Sequence, residues 1–250
     1  MDREKILEVK KKKEYSALPD SIVEKALEIC KGEIKETRAY LRKYFGVFMT
    51  NKVTKGEDEK VLESHISSKK RNYGLIYEKL LAGKNFKSVV DMGSGVNGFS
   101  YPIILEHLGE VRYFGLEATK RLVDNSNKYF TLEGFKNARS FWVDLFETEK
   151  VLSIIREAEK PLIIFIFQVI DALESMERNY SKKLLADLKK EMGHDDRIVV
   201  SSSLRSISGR QKFNIKRSWL AEFLAENFEV EDSFEMFDEG YIVIKKSKGI

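Results

Sequence analysis

The sequence predicts an α/β protein: a mostly parallel seven-stranded sheet, wound on both faces by helices and closed by a C-terminal antiparallel hairpin, behind an N-terminal helical subdomain. Three observations carry this reading. From residue 88 onward short β-rich runs alternate with helical stretches, and several runs are almost uninterruptedly apolar, as strands covered on both faces must be. The last two runs follow one another with no helix between them, which requires an antiparallel connection. Before residue 65 the apolar residues instead recur at three- and four-residue spacing among lysines and glutamates, the period of a helix. The chain has 250 residues, 42% hydrophobic and 11% aromatic, enough to bury a full core, which excludes disordered, collagen-like and disulfide-stapled classes.

Taken in order, the lysine run at 10–13 reads as a solvated tail. Ile22, Val23, Ala26, Leu27, Cys30, Ile34, Leu41, Phe45 and Phe48 mark a helix from Asp20 to about Phe48, broken or bent at Gly32. Residues 49–64 are polar and read as a linker with a short helical end. Ser67 or Ser68 can cap a helix running to Leu81, with Gly83 at its C-terminal side. The alternation then runs SVVDM (88–92), a helix near 99–108, VRYFGLE (111–117), a helix near 119–130, ARSFWVD (138–144) and a helix near 147–157. It continues with PLIIFIF (161–167), a helix near 175–192, RIVVSSS (197–203), a helix near 216–227, and the hairpin strands FEVEDSFEM and GYIVIKK. The division falls at residue 64: a basic helical subdomain over 1–64 and the sheet domain over 65–250.

The 44 lysines and arginines exceed the 40 acids by only four, but unevenly. Residues 1–75 carry 18 basic and 13 acidic side chains, and residues 76–250 carry 26 and 27. All the positive surplus is N-terminal, which makes Lys10, Lys11, Lys12, Lys13, Lys35, Arg38, Arg42 and Lys43 candidates for contact with nucleic-acid phosphates; an ordinary solvated helical face is the alternative. The single cysteine, Cys30, excludes a disulfide framework and a cysteine-based metal site, and no metal is expected. The longest apolar run, Leu162 to Phe167, is far shorter than a membrane span, and MDREKILEVKKKK lacks the apolar core of a signal peptide. A soluble cytoplasmic monomer with no membrane partner is expected.

The sharpest local signal is DMGSGVNG, between a strand and a helix, where Gly93, Gly95 and Gly98 spell the fingerprint of a dinucleotide-binding loop. Asp91, ending the strand beside that loop, would repel a pyrophosphate. It is compatible with S-adenosylmethionine, which carries a sulfonium and an ammonium and no phosphate, and so favours that cofactor over a nicotinamide or flavin. Asp91, Glu117 and Asp144 end successive strands at intervals of 26 and 27 residues. Ligands of open α/β sheets lie outside the carboxyl ends of the strands, so the three acids are expected to face one crevice. Glu117 would accept from the ribose hydroxyls. Asp144 would accept from the adenine amino group, or serve simply as a helix cap. These features describe a Rossmann-like class I methyltransferase.

Several stretches go further, and together they resemble the 16S ribosomal RNA guanine-N7 methyltransferases of aminoglycoside-resistance type nearly end to end. KEYSALPDSIVEKAL (13–27) is similar to that family's lysine-lysine-tyrosine segment, HISSKKR (65–71) to its histidine, serine-threonine and arginine signature, and DMGSGVNGFS to its glycine loop with Asn97. IIFIFQVIDALE (163–174) and SSLRSISGRQK (202–212) resemble its fourth-strand segment and the stretch after its fifth strand. The resemblance implies that Arg71 pairs with the methionine carboxylate of the cofactor, that His65 and the neighbouring serines shape the pocket mouth, and that Ser94 and Leu145 take part in cofactor binding. It places Gln168 at the methyl-transfer site, and Arg205, Ser206 and Arg210 against the target nucleotide or its phosphates. The chain departs from the family pattern in the Ser-Gly-Val-Asn-Gly-Phe order of the loop, in Lys70 beside Arg71, and in DEGYIVI, which shows no clear match to the family's glutamate before its last strand.

Guanine N7 is a lone pair with no proton, so transfer to it needs in-line placement and no general base. No Asn/Asp-Pro-Pro-Tyr/Phe motif follows PLIIFIF, and no cysteine lies near that strand or the next, which argues against exocyclic-amine and cytosine-C5 methylation. Phe99, Phe167 and Phe213 are candidates to hold an extruded base, with buried core the alternative for the first two. The partner implied is 16S rRNA in the small ribosomal subunit. Two other functions fit the residues: a methyltransferase for a small molecule or protein, with the N-terminal helices as a lid, or a catalytically silent cofactor- and RNA-binding protein.

Overall fold

A computed structural model describes residues 3–45, 58–65, 68–204 and 218–247. Three helices open the chain: α1 (Arg3–Lys10), α2 (Asp20–Ile29) and α3 (Ile34–Tyr44). The lysine run is therefore not a solvated tail, because α1 buries Ile6 and Val9, and Tyr15 and Leu18 just beyond it are fully buried. The helix read across Gly32 is two helices. Lys31 and Gly32 take left-handed φ of 52° and 79°, and Gly32 N–H donates back to Leu27 O at 2.7 Å, the six-to-one bond that ends a helix. The side chains of α1–α3 form their own core around Tyr15, Leu18, Ile22, Val23, Leu27 and Leu41, which also takes in Met176 of the sheet domain.

A short α4 (Val61–Ser64) packs with the sheet domain: Val61 belongs to its core, and Tyr129 donates to Glu59 at 3.1 Å. Residues 58–64 thus lie with the sheet rather than with the helices placed before residue 65. Next comes α5 (Tyr73–Leu81), capped by the Asn72 side chain, which accepts from Leu75 N–H at 3.2 Å, and not by Ser68; Ser67 lies outside the described residues.

The sheet follows: β1 (Ser88–Met92), a 3₁₀ turn over Asn97–Ser100, α6 (Tyr101–Leu108), β2 (Arg112–Glu117), α7 (Lys120–Leu132), β3 (Ala138–Trp142), α8 (Thr148–Glu157) and β4 (Leu162–Phe167). Then come α9 (Ile170–Met176), α10 (Tyr180–Glu191), β5 (Arg197–Ser203), α11 (Ser218–Asn227), β6 (Glu229–Met236) and β7 (Glu239–Lys245). The single helix read near 175–192 is α9 followed by α10, with Asn179 between them at φ 64°.

Strand order is β3-β2-β1-β4-β5-β7-β6, parallel from β1 to β5, with β7 antiparallel to both of its neighbours. Every residue of β1 and β4 is buried, which explains why LIIFIF reads as an unbroken apolar strand, while SVVDM carries the polar Ser88 and Asp91 into the core. One sheet face is covered by α5, α6 and α7, and the other by α8, α10 and α11. The β6–β7 turn places Phe237 and Asp238 at φ 52° and 63°, as a two-residue hairpin demands. The order of strands reverses between β1 and β4, so the crevice at their carboxyl ends is where a ligand is expected.

Candidate active site

The loop after β1 turns back on the sheet, with Gly93 and Ser94 N–H both donating to Leu116 O at 2.8 and 3.0 Å. Its glycines do different work. Gly93 has φ 69°, and a Cβ there would lie 2.5 Å from Val169 Cγ2. Gly95, at φ 51°, has room around it, since the nearest atoms to a Cβ are in the His65 ring at 3.8 Å; there backbone conformation is the requirement. A Cβ on Gly98 would meet Phe130 Cζ at 2.9 Å, so this glycine sets the approach of the following turn to α7.

Two of the three strand-end acids face the crevice. Glu117 accepts from Gly95 N–H at 3.0 Å and from Thr119 N–H at 2.8 Å; burial raises its pKa against those two bonds. Asp144 accepts from Phe146 N–H at 3.0 Å and from the Ser21 hydroxyl at 2.5 Å, and burial raises it too. Asp91 does not line the crevice. It pairs in register with Gly115 and Phe165 inside the sheet, is fully buried, and accepts from Tyr113 Oη at 2.8 Å. Burial pushes its carboxyl up to about 6. It supports the loop from beneath rather than from the rim, because β1 continues one residue past it, through Met92.

Arg71 also sits elsewhere than expected. Its guanidinium is buried and makes a two-pronged pair with Glu239, Nε to Oε2 at 2.8 Å and Nη2 to Oε1 at 2.9 Å. Nη1 donates to Asn97 Oδ1 at 3.1 Å, and Tyr73 donates to the same oxygen at 2.7 Å. The bidentate geometry expected of Arg71 is present, but its partner is the protein's own carboxylate and Arg71 stands behind the crevice wall. Glu239 lies in DEGYIVI, the segment in which no matching glutamate was apparent. Burial would raise Glu239, yet Arg71, together with hydrogen bonds from Ser201 and Gln168, holds the carboxyl below its usual range. Ser201 Oγ donates to Glu239 and accepts from Gln168 N–H at 3.2 Å, which ties the pair to the end of β4.

Gln168 lines the crevice with a left-handed φ of 59°, a strained conformation for a side chain of its type. His65 lines it as well, 5% exposed, with Nδ1 3.1 Å from Ser68 Oγ. Burial, helped by the charge of Arg71, holds the imidazole down to about 3, so it is neutral. Leu145 is buried in the wall, whereas Ser94 is buried beneath the loop.

The crevice is a cleft open to solvent at its mouth. Its described lining has two carboxylates, the glycine-loop backbone and apolar walls, with no lysine or arginine. That donor set is unsuited to a pyrophosphate and fits a ligand with cationic and amino groups. Sequence reasoning missed the roof: Ile22 of α2, Tyr44 of α3 and Phe45 line the same crevice from the N-terminal helices. No local pattern could reveal this, since those residues lie at helical core spacing like their neighbours.

No protein-family model and no curated protein sequence matches the chain; solved structures do. An rRNA methylase from Escherichia coli is 21% identical over 98% of this chain and 99% of its own, with a TM-score of 0.74. The 16S rRNA methyltransferase RmtF, solved with S-adenosyl-L-homocysteine, is 20% identical over 99% of this chain and 100% of its own, at 0.75. The 16S rRNA methylase ArmA is 16% identical over 84% and 97%, at 0.52. The chain has the class I methyltransferase fold.

On this methyltransferase fold the basic candidates divide. Arg38 is a strut: it donates to Val9 O at 3.4 Å and to Glu8 O. Lys10 pairs with Asp20 at 2.5 Å, Arg42 with Glu14 at 3.3 Å, and Lys11 with Glu8. Lys12, Lys13 and Lys35 are exposed, and the exposed Lys43 sits 4.9 Å from the Tyr44 ring centre. Phe99 is core, and Phe167 lines the crevice. Arg205, Ser206, Arg210 and Phe213 lie outside the described residues. Among the described residues no group of three or more His, Cys, Asp or Glu could hold a metal ion, and no helix is long and apolar enough to cross a membrane.

Proposed function

We propose that the protein transfers a methyl group from S-adenosylmethionine to ribosomal RNA, at N7 of a guanosine in the 16S rRNA of the small subunit. The observation that carries this reading is the extent of the structural likeness. The RmtF fold spans 99% of this chain, the N-terminal helices included, whereas a S-adenosylmethionine-dependent methyltransferase from Aquifex aeolicus spans 78% at a TM-score of 0.52.

In the crevice Glu117 would take the ribose hydroxyls, Asp144 the adenine amino group, and the backbone from Gly93 to Gly95 the methionine end. Bound there, S-adenosylmethionine supplies a methyl group activated by its sulfonium. The chain's own residues then have to orient and exclude water rather than move protons. A lone-pair acceptor has no proton to remove, so the reaction needs orientation and no base, and Gln168 at the end of β4 carries no ionisable group. Gln168, with its backbone N–H bonded to Ser201 and its side chain hydrogen-bonded to Glu239, would mark the end of β4 where the acceptor base is positioned. Lys12, Lys13, Lys35 and Lys43 would supply phosphate contacts, and Arg205, Ser206 and Arg210 remain candidates for the target nucleotide.

Incubation with labelled S-adenosylmethionine and 30S subunits, free 16S rRNA or a metabolite extract tests this. The expected result is label in the RNA of 30S subunits. Label only in metabolites or proteins, or none in RNA despite cofactor binding, would overturn it.

A further inference from the structure

The hydroxyl of Ser21 has an unusual destination. Ser21 is the second residue of α2, inside the Pro19 N-cap position from which a serine side chain would satisfy the helix's own free amides, so its hydroxyl is left for another partner. Here it donates to Asp144 Oδ2 at 2.5 Å, 123 residues away across the crevice. The other Asp144 oxygen is held by Phe146 N–H at 3.0 Å. Each carboxylate oxygen therefore has one fixed donor and one further accepting direction.

The contact sits within a broader docking of the N-terminal helices around the same corner. Lys25 pairs with Glu177 at 2.6 Å and lies 4.5 Å from the Phe146 ring centre; Tyr40 donates to Ser175 O at 2.7 Å; Ile22, beside Ser21, roofs the crevice. An aspartate at the end of a strand with no such donor could rotate toward solvent or cap the 144–147 turn alone.

We propose that Ser21 is a positioning residue for the cofactor's adenine: it fixes the Asp144 carboxylate so that the amino group is accepted, making the N-terminal helices part of the cofactor pocket. This rests on the reading of the crevice as the S-adenosylmethionine site. The helices would then be a component of adenine selection as well as a docking element.

Calorimetric titration of wild type, Ser21→Ala and Ser21→Thr separates the possibilities, using S-adenosylhomocysteine and S-inosylhomocysteine, in which an oxo group replaces the amino group. Loss of one buried hydrogen bond predicts about three- to tenfold weaker S-adenosylhomocysteine binding in Ser21→Ala. S-inosylhomocysteine binding should be nearly unchanged, and Ser21→Thr should match wild type. Equal affinity of wild type and Ser21→Ala for S-adenosylhomocysteine would overturn the proposal, as would equal losses for both ligands. Failure of wild type to bind S-adenosylhomocysteine at all would instead remove the reading of the crevice itself.

Discussion

Arg71 and Glu239 show how much one residue's surroundings decide. The guanidinium of Arg71, with three donors engaged and almost no exposure, is fixed by the protein's own groups, and removing either partner of the pair leaves a charge buried alone. Glu239→Ala should therefore lower unfolding free energy by about 3–5 kcal/mol, measured by urea denaturation. The paired replacement Arg71→Met with Glu239→Leu should be milder than either single change, and a mild Glu239→Ala would contradict the pairing. Asp91 and His65 give a pH signature. The Asp91 carboxyl titrates at about 6 in the fold against an ordinary 3.8, so the folded state holds the extra proton and stability falls as pH rises between those values. His65, held down to about 3 from an ordinary 6.5, acts oppositely: the unfolded state binds the proton, and stability rises with pH over that window. Asp91→Asn removes the first effect only. Its melting temperature should climb more steeply than wild type between about pH 4 and about pH 6. Equal slopes would contradict the burial of Asp91.

Among the elements, the glycine loop makes the cleanest distinction. Gly93→Ala meets Val169 Cγ2 at 2.5 Å as well as a left-handed backbone, whereas Gly95→Ala meets only the backbone. Gly93→Ala should lose more cofactor affinity than Gly95→Ala, and Val169→Ala should restore part of it, as read by S-adenosylhomocysteine titration. Equal losses without rescue would show that space at Gly93 is not limiting. The β-strands were legible because period and burial coincide: LIIFIF is buried at every position and reads so. Helix limits were less legible where a left-handed residue interrupts continuous periodicity, as at Asn179 between α9 and α10. Glu117 and Asp144 could be placed from strand-end position alone. The Arg71 partner could not, since 168 residues separate it from Glu239 and the bond is made by topology.

Over the whole molecule, the net charge of +4 resolves into a basic helical layer, many of whose cations are already paired, resting on a nearly neutral sheet domain. Replacing Lys12 and Lys13 by alanine should weaken binding to 30S subunits and reduce its salt slope by about two, with little change in melting temperature. Arg38→Ala should instead lower the melting temperature, because that side chain ties α3 to the end of α1. An unchanged salt slope would leave the lysines as an ordinary solvated face. The same helices roof the crevice, so the surface proposed to meet RNA and the pocket proposed to hold the cofactor share one structural layer. The most direct test of that account is chemical mapping of 16S rRNA from cells expressing the protein. Borohydride reduction and aniline cleavage, read by primer extension, should reveal one new guanosine stop with wild type that disappears with Gly93→Ala; identical stop patterns with and without the protein would contradict N7 methylation of this RNA.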